Sequence, residues 1–246
     1  MGIVKNNQNL SGLVGNLVFV NTEGRLLVRS RPAKVKQTAK TKVAASQFGY
    51  ASGADRVFRN HLLAEIKVHT DRSFAYRHRT VFVRMCERLP AERKPVFTFA
   101  NGNPKALEGF NFCLESPWEN RCNFFPEFDL DEAGNLSVNL PQLRMGTEIK
   151  NQKGVEKAVI DFWLISAVPP DPNKAEMNLL WNETVEIYPG TPHPPIHWEI
   201  PDCPQGHWLL MLASCRYEFK SPAKLSGSPD KIALPASAYL FGRKVN

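Results

Sequence analysis

Two short β-rich apolar runs, LVFVN over 17–21 and RLLVRS over 25–30, stand on either side of one polar break. Leu17 and Phe19, then Leu26 and Val28, stand every second residue around Thr22-Glu23-Gly24. Short runs rich in Val, Leu and Phe, bounded by turn residues, belong to strands. Gly24 can adopt the left-handed conformation that a short connection needs, so the pattern predicts a β-hairpin over 17–21 and 25–30. Pro32, with no N–H to give to a ladder, ends it. From Thr38 the period lengthens: Phe48, Ala51, Phe58 and Leu62, then Phe74, Val81, Met85 and Leu89, recur at helical spacing. Two helices are predicted, over about 38–66 and 71–88. Gly49 and Gly53 weaken the first. Its narrow stripe, within KVAASQFGYASGA, suits close packing against another element, such as one from a neighbouring subunit.

After Pro95 the texture changes again. VFTFA, FNFCL, LSVNL, KAVIDFWLISAV, ETVEIY, HWLLMLASCRYEF and SAYLF are short strand-like runs. NGNP, SPWEN, DEAGN, PPDPN, YPGTPHPP, PDCPQG and SGSPD separate them as turn signals. With no helix-period stretch in between, these runs predict an antiparallel β-sandwich of immunoglobulin-like type. VIDFWLISAV and WLLMLASC are nearly continuous apolar runs, expected at its centre with both faces covered. The expected fold is mainly β, with a hairpin and two helices in residues 1–95 and the sandwich in residues 96–246.

Charge divides at the same place. Residues 1–95 hold 18 Lys+Arg against 6 Asp+Glu, and residues 96–246 hold 13 against 18. Seven cations, Arg25, Arg29, Arg31, Lys34, Lys36, Lys40 and Lys42, occupy one 18-residue ribbon that contains no acid. Solvated helix faces, a polyanion partner, or a head-to-tail contact between the basic half of one copy and the acidic half of the next would each account for this asymmetry. The ribbon lacks the aromatic interleaving of single-strand platforms and any helix-turn-helix or finger context. The hairpin, in contrast, offers β-edges that could join a neighbour's sheet. The expectation is a self-assembly arm whose contact set is Leu17, Phe19, Leu26 and Val28 with the seven cations. Its partner would be other copies of the chain, in a filament, tail-like tube or virion component. Nucleic acid on the same cations is the alternative.

Candidate chemistry changes this picture little. The five cysteines are scattered without a Cys-x-x-Cys pair, which predicts reduced, buried thiols. His193, His197, Cys203 and His207 fall within fifteen residues, but Pro194 and Pro195 forbid the helix that would align the first two, and no metal is expected. FDLDEAGN lacks the later ligands of a calcium loop. SGLVGN precedes a strand instead of following one, unlike a phosphate loop. No Gly-x-Ser-x-Gly elbow occurs, and neither catalytic residues, a cofactor nor a small-molecule substrate is expected. Trp118, Trp181, Trp198 and Trp208 leave a carbohydrate- or peptide-binding sandwich as a third reading, although such rings more often fill cores and rims. No run reaches the ~20 apolar residues of a membrane helix, and MGIVKNNQNLSG has no apolar signal region, with Asn6 where a myristoylation signal has Ser or Thr. The expectation is a soluble chain made in a reducing cytoplasm and incorporated into a phage-like particle or filament.

Gly12, Gly15, Asn16 and Val18 precede a short hairpin, then Val28-Arg29-x-x-Pro32 and a Lys/Thr/Gln-rich helix start, with LEGFNFCLESPW after the helices. Together they resemble an uncharacterised bacterial family, a domain of unknown function that opens with a Gly-x-x-Gly-Asn-x-Val hairpin and an Arg-x-x-Pro motif. The likeness covers chiefly residues 10–60 and 107–117, with Cys113 in place of a second Asn. It implies the two-part architecture, with a β-rich, immunoglobulin-like second half, and it implies no activity.

Overall fold

A computed structural model describes residues 2–5, 9–22, 25–31, 36–90, 95–219 and 234–245. Among them run strands β1 (Gly2–Lys5), β2 (Asn9–Val14), β3 (Leu17–Thr22), β4 (Arg25–Ser30), β5 (Glu87–Leu89), β6 (Val96–Thr98), β7 (Glu127–Leu130), β8 (Leu136–Leu140), β9 (Val155–Ala167), β10 (Met177–Ile187), β11 (Ile196–Ile200), β12 (Trp208–Phe219) and β13 (Ala236–Lys244). Helices α1 (Ala39–Glu65) and α2 (Phe74–Met85) lie between β4 and β5 in sequence. The chain is mainly β, and the pairings between these strands are all antiparallel. It divides into two compact units, 1–42 and 43–246. The charge boundary near residue 95 is therefore not where compactness changes, because both helices share a core with strands of the second unit.

In the first unit the predicted hairpin is half of a four-stranded meander, β1-β2-β3-β4. The sequence left the hairpin without a third strand, and β2 supplies it by pairing with β3. The two strands connect through Gly15-Asn16, where Gly15 takes φ 59°. A positive φ at the first central position suits the right-handed twist of a two-residue hairpin, and glycine reaches it without steric cost. The break at Glu23-Gly24 and the stop at Pro32 lie outside the described residues.

The second unit is organised around the sheet β10-β9-β12-β13. Its two central strands are the nearly continuous apolar runs, and successive side chains serve opposite faces. Ala158, Ile160, Phe162 and Leu164 of β9 and Leu209, Met211, Ala213 and Cys215 of β12 join Leu136, Val138 and Leu140 of β8 in one core. That side also holds the three-stranded sheet β11-β8-β7. Ile165, Ala167, Trp208, Leu210, Leu212 and Tyr239, from the opposite face, join Ala51, Ala54, Phe58 and Leu62 of α1 and Phe74, Phe82 and Met85 of α2.

Both helices lie within their predicted ranges, but α2 stops at Met85, and Glu87–Leu89, expected to end it, pair with β6 as β5. Local chemistry explains where the helices start. The Thr38 hydroxyl accepts the Thr41 N–H at 3.2 Å, capping α1. Asp71 accepts the Ser73 N–H at 2.7 Å just before α2. The small-residue stripe of α1 packs within its own chain: a Cβ at Gly53 would stand 3.0 Å from the Pro172 side chain. Phe48, assigned by its spacing to that stripe, is 50% exposed, since burial along α1 begins only at Ala51.

Two further expectations need correction. FNFCL makes only an isolated bridge, Asn111 to Ala238. The Asn111 side chain instead accepts the Trp118 N–H at 2.7 Å, while the carbonyls of Asn111 and Phe112 accept from Arg77. Conversely, IHWEI in the histidine-rich stretch is strand β11, in register with β8.

Candidate functional site

The contact residues expected from the sequence fall on two sides of the N-terminal sheet. Register sets Leu17 opposite Ser30, Phe19 opposite Val28 and Asn21 opposite Leu26. β2 adds Val14 opposite Leu17 and Gly12 opposite Phe19. Because the side-chain period is two, these positions share one face, and none of the eight is ionisable. Val14, Leu17, Leu26 and Val28 are between 44% and 51% exposed. Arg25 and Arg29 lie on the other face, where Val18 pairs with Arg29 and Val20 with Leu27. The structure thus unites the four predicted apolar contacts, adds Val14, and separates them from the strand arginines.

The rest of the basic ribbon is arranged differently. The Arg31 N–H donates to the Asn16 carbonyl at 2.7 Å, closing one end of the sheet. Lys36, Lys40 and Lys42 are exposed, the last two near the start of α1, whose first turn holds no acid. A cation there opposes the helix dipole, so helix stability does not account for the placement. Lys34 lies outside the described residues.

A second surface lies on the helices. Arg79 sits with its guanidinium carbon 5.6 Å from the Phe48 ring centroid and 5.8 Å from that of Tyr76. Tyr76 is 68% exposed. Beside it runs a groove of about 420 Å³ lined by Tyr76, Arg77, Val81, Arg84, Phe110 and Leu114, among others. Arg77 is fixed on its wall by Asp71 at 2.9 Å and the Asn111 carbonyl at 2.7 Å, 4.9 Å over the Phe110 ring. The Asp71 carboxyl is held below its ordinary value: burial acts upward, but the Leu114 and Ser73 hydrogen bonds and the Arg77 charge outweigh it.

Beneath this layer lies a polar cluster whose members stand up to 184 residues apart in sequence. Asp55 accepts from Arg59 Nε at 2.9 Å and from His78 Nδ1 at 2.6 Å, and His78 Nε2 lies 3.0 Å from the Tyr239 hydroxyl. Asp55, His78 and Tyr239 have 0% exposure. A neutral imidazole satisfies every contact, with Nδ1–H donating to Asp55 and Nε2 accepting from Tyr239. Burial pushes His78 below its ordinary value despite Asp55, and it raises Tyr239 well above its own. The sequence of carboxylate, imidazole and hydroxyl parallels a nucleophile relay, but here the hydroxyl is sealed from solvent. The arrangement instead ties α1 and α2 to β13.

The remaining candidates are dispersed. His197 contacts Asn139 at 2.7 Å and Glu199 at 2.7 Å, His207 contacts Ser166 at 2.7 Å, and Cys203 is buried. Among the described residues, no group of three or more His, Cys, Asp and Glu side chains is placed to hold a metal ion. All five cysteines are free and buried. Asp131 accepts the Asn135 N–H at 2.8 Å in the turn between β7 and β8, next to Gly134 at φ 89°. Trp118 and Trp208 are buried, while the half-buried Trp181 and Trp198 meet at 4.7 Å between centroids. No helix among the described residues is long and apolar enough to cross a membrane. Comparison with known proteins adds no relative, since no family model, curated protein or solved structure matches the chain.

Proposed function

We propose that this chain is a structural subunit that assembles with copies of itself through its N-terminal sheet, as part of a filament, tail-like tube or virion particle. The observation that carries this reading is the uncharged face of Val14, Leu17, Phe19, Leu26 and Val28, four of them about half exposed. Small antiparallel sheets gain stability by covering an apolar face. A face without charge meets another copy without like-charge repulsion, whereas a face bearing Arg25 and Arg29 does not. β4 is also an edge strand, so its free main-chain groups can extend a neighbour's sheet. The cations beyond it would steer the contact toward the acidic half of the next copy. Contacts of this head-to-tail kind close into rings or run on as filaments.

The second unit is the body in this reading. The sheets β10-β9-β12-β13 and β11-β8-β7 share a core, which supports an immunoglobulin-like sandwich with a helical layer added to its outer face. The test is light scattering on nuclease-treated protein after size exclusion, at low and high salt. Full-length chain is expected as an assembly, and chain lacking residues 1–37 as a soluble monomer. Equal masses for the two would refute the proposal.

A further inference from the structure

We infer that the outer surface of the two helices binds single-stranded nucleic acid, by base stacking on Phe48 and Tyr76 and by phosphate contact with Arg79 and Arg84. The inference concerns residues of the second unit alone and does not rest on the assembly reading. Two large rings, 50% and 68% exposed, flank one guanidinium. No burial accounts for either ring. Arg79 and Arg84 have no carboxylate partner among the described residues, whereas Arg59 and Arg77 are held by Asp55 and Asp71. Residues 43–89 carry eight Lys+Arg and four Asp+Glu, and two of those acids are consumed by Arg59 and Arg77. The surface is therefore positive as well as aromatic.

That pairing of features selects the ligand. An acidic peptide would satisfy the arginines but leave the ring faces wet. A duplex presents phosphates but hides its π-faces in the stack. A single strand offers both, since every base has a face to stack and every linkage a charge. The groove beside Tyr76 continues the platform, with Phe110 and Leu114 as apolar wall and Arg84 and the pre-oriented Arg77 as cations. The interleaving of aromatics and cations missing from the 25–42 ribbon is thus present on the helices, assembled from Phe48 of one and Tyr76 and Arg79 of the other.

Fluorescence anisotropy of a labelled oligo(dT) 20-mer against full-length protein tests this, from about 50 to 200 mM salt, with a 20-base-pair duplex as control. Wild type should bind the single strand more tightly than the duplex. Phe48→Ala and Tyr76→Ala should each weaken binding by about 5- to 150-fold, the range expected for one stacked base, and leave the salt slope unchanged. Arg79→Gln/Arg84→Gln should lower the slope of log K against log salt by about 0.7 for each cation lost. A Lys36→Gln/Lys40→Gln/Lys42→Gln variant must keep the single-strand preference, because the ribbon carries no rings. All substituted side chains are at the surface, and unchanged thermal melting confirms folding. Ring variants that bind as wild type does, equal affinity for duplex, or capture of poly-glutamate with no oligo(dT) binding would each overturn the inference.

Discussion

Replacing Asp55 by Ala asks how much of the second unit depends on one buried polar cluster. The carboxylate has 0% exposure and serves Arg59 and His78 at once. Without it, a guanidinium and an imidazole N–H lose their acceptor inside the protein. Removing one partner of a buried ion pair costs about 3–5 kcal/mol, a large share of the roughly 5–15 kcal/mol that keeps a domain folded. The Arg59 side chain is 15% exposed and can recover some hydration, so the lower end of that range is expected. Tyr239→Phe removes only the hydroxyl that donates to His78 Nε2 and should cost about 1–3 kcal/mol.

The same cluster sets a pH dependence whose sign follows from His78. Burial depresses its affinity for protons in the folded state, while the unfolded chain takes one up near the ordinary value of 6.5. The unfolded state thus gains protons first as pH falls, and stability drops below about pH 7. Between pH 7.5 and 5.5 this one group contributes a loss of up to about 1.4 kcal/mol. Urea unfolding followed by Trp fluorescence is the assay, because Trp208 packs against Phe58, Phe82 and Phe99 in this core. Wild type should lose more stability than His78→Gln over that interval, by up to about 1.4 kcal/mol. Parallel pH curves for the two, or an Asp55→Ala cost under about 1 kcal/mol, would refute the reasoning.

Other expectations rest on packing and burial. At Gly242 of β13 an added Cβ would collide with the Pro104 carbonyl, so Gly242→Ala should destabilise by about 1–3 kcal/mol, read as a lowered urea midpoint, whereas Gly49→Ala, open to space, should be neutral or stabilising. All five thiols are buried, and burial pushes Cys86 up to about 11 and raises Cys203. An aromatic disulfide reagent at pH 8 should therefore label none quickly in native protein and five in urea, and one fast native equivalent would contradict this.

What the sequence revealed depended on how local each feature is. The β-rich runs located the hairpin, and the register then sets Leu17, Phe19, Leu26 and Val28 on one face. The helical period located α1 and α2 within a few residues of their ends. β2 was missed because Ser11, Gly12 and Gly15 interrupt its apolar residues, although Gly15 only turns the chain into β3. β11 was hidden among prolines and histidines that invited a metal reading. FNFCL has the composition of a strand, but two of its carbonyls, Asn111 and Phe112, are claimed by Arg77, 34 and 35 residues away. The joining of Asp55, His78 and Tyr239, and of Phe48 with Tyr76, has no local signature at all. A helix face shows its period in sequence but not the sheet it will cover.

Paired substitutions on the two sides of the N-terminal sheet measure directly which face makes the contact between copies. Leu26→Glu/Val28→Glu introduces charge on the uncharged face, while Arg25→Gln/Arg29→Gln removes it from the other; both pairs lie on β4. Mass by light scattering after size exclusion, at low and high salt, is the readout. The account predicts a monomer for Leu26→Glu/Val28→Glu at every salt concentration, and an assembly with altered salt sensitivity for Arg25→Gln/Arg29→Gln. A Leu26→Glu/Val28→Glu protein that assembles as wild type does would contradict it.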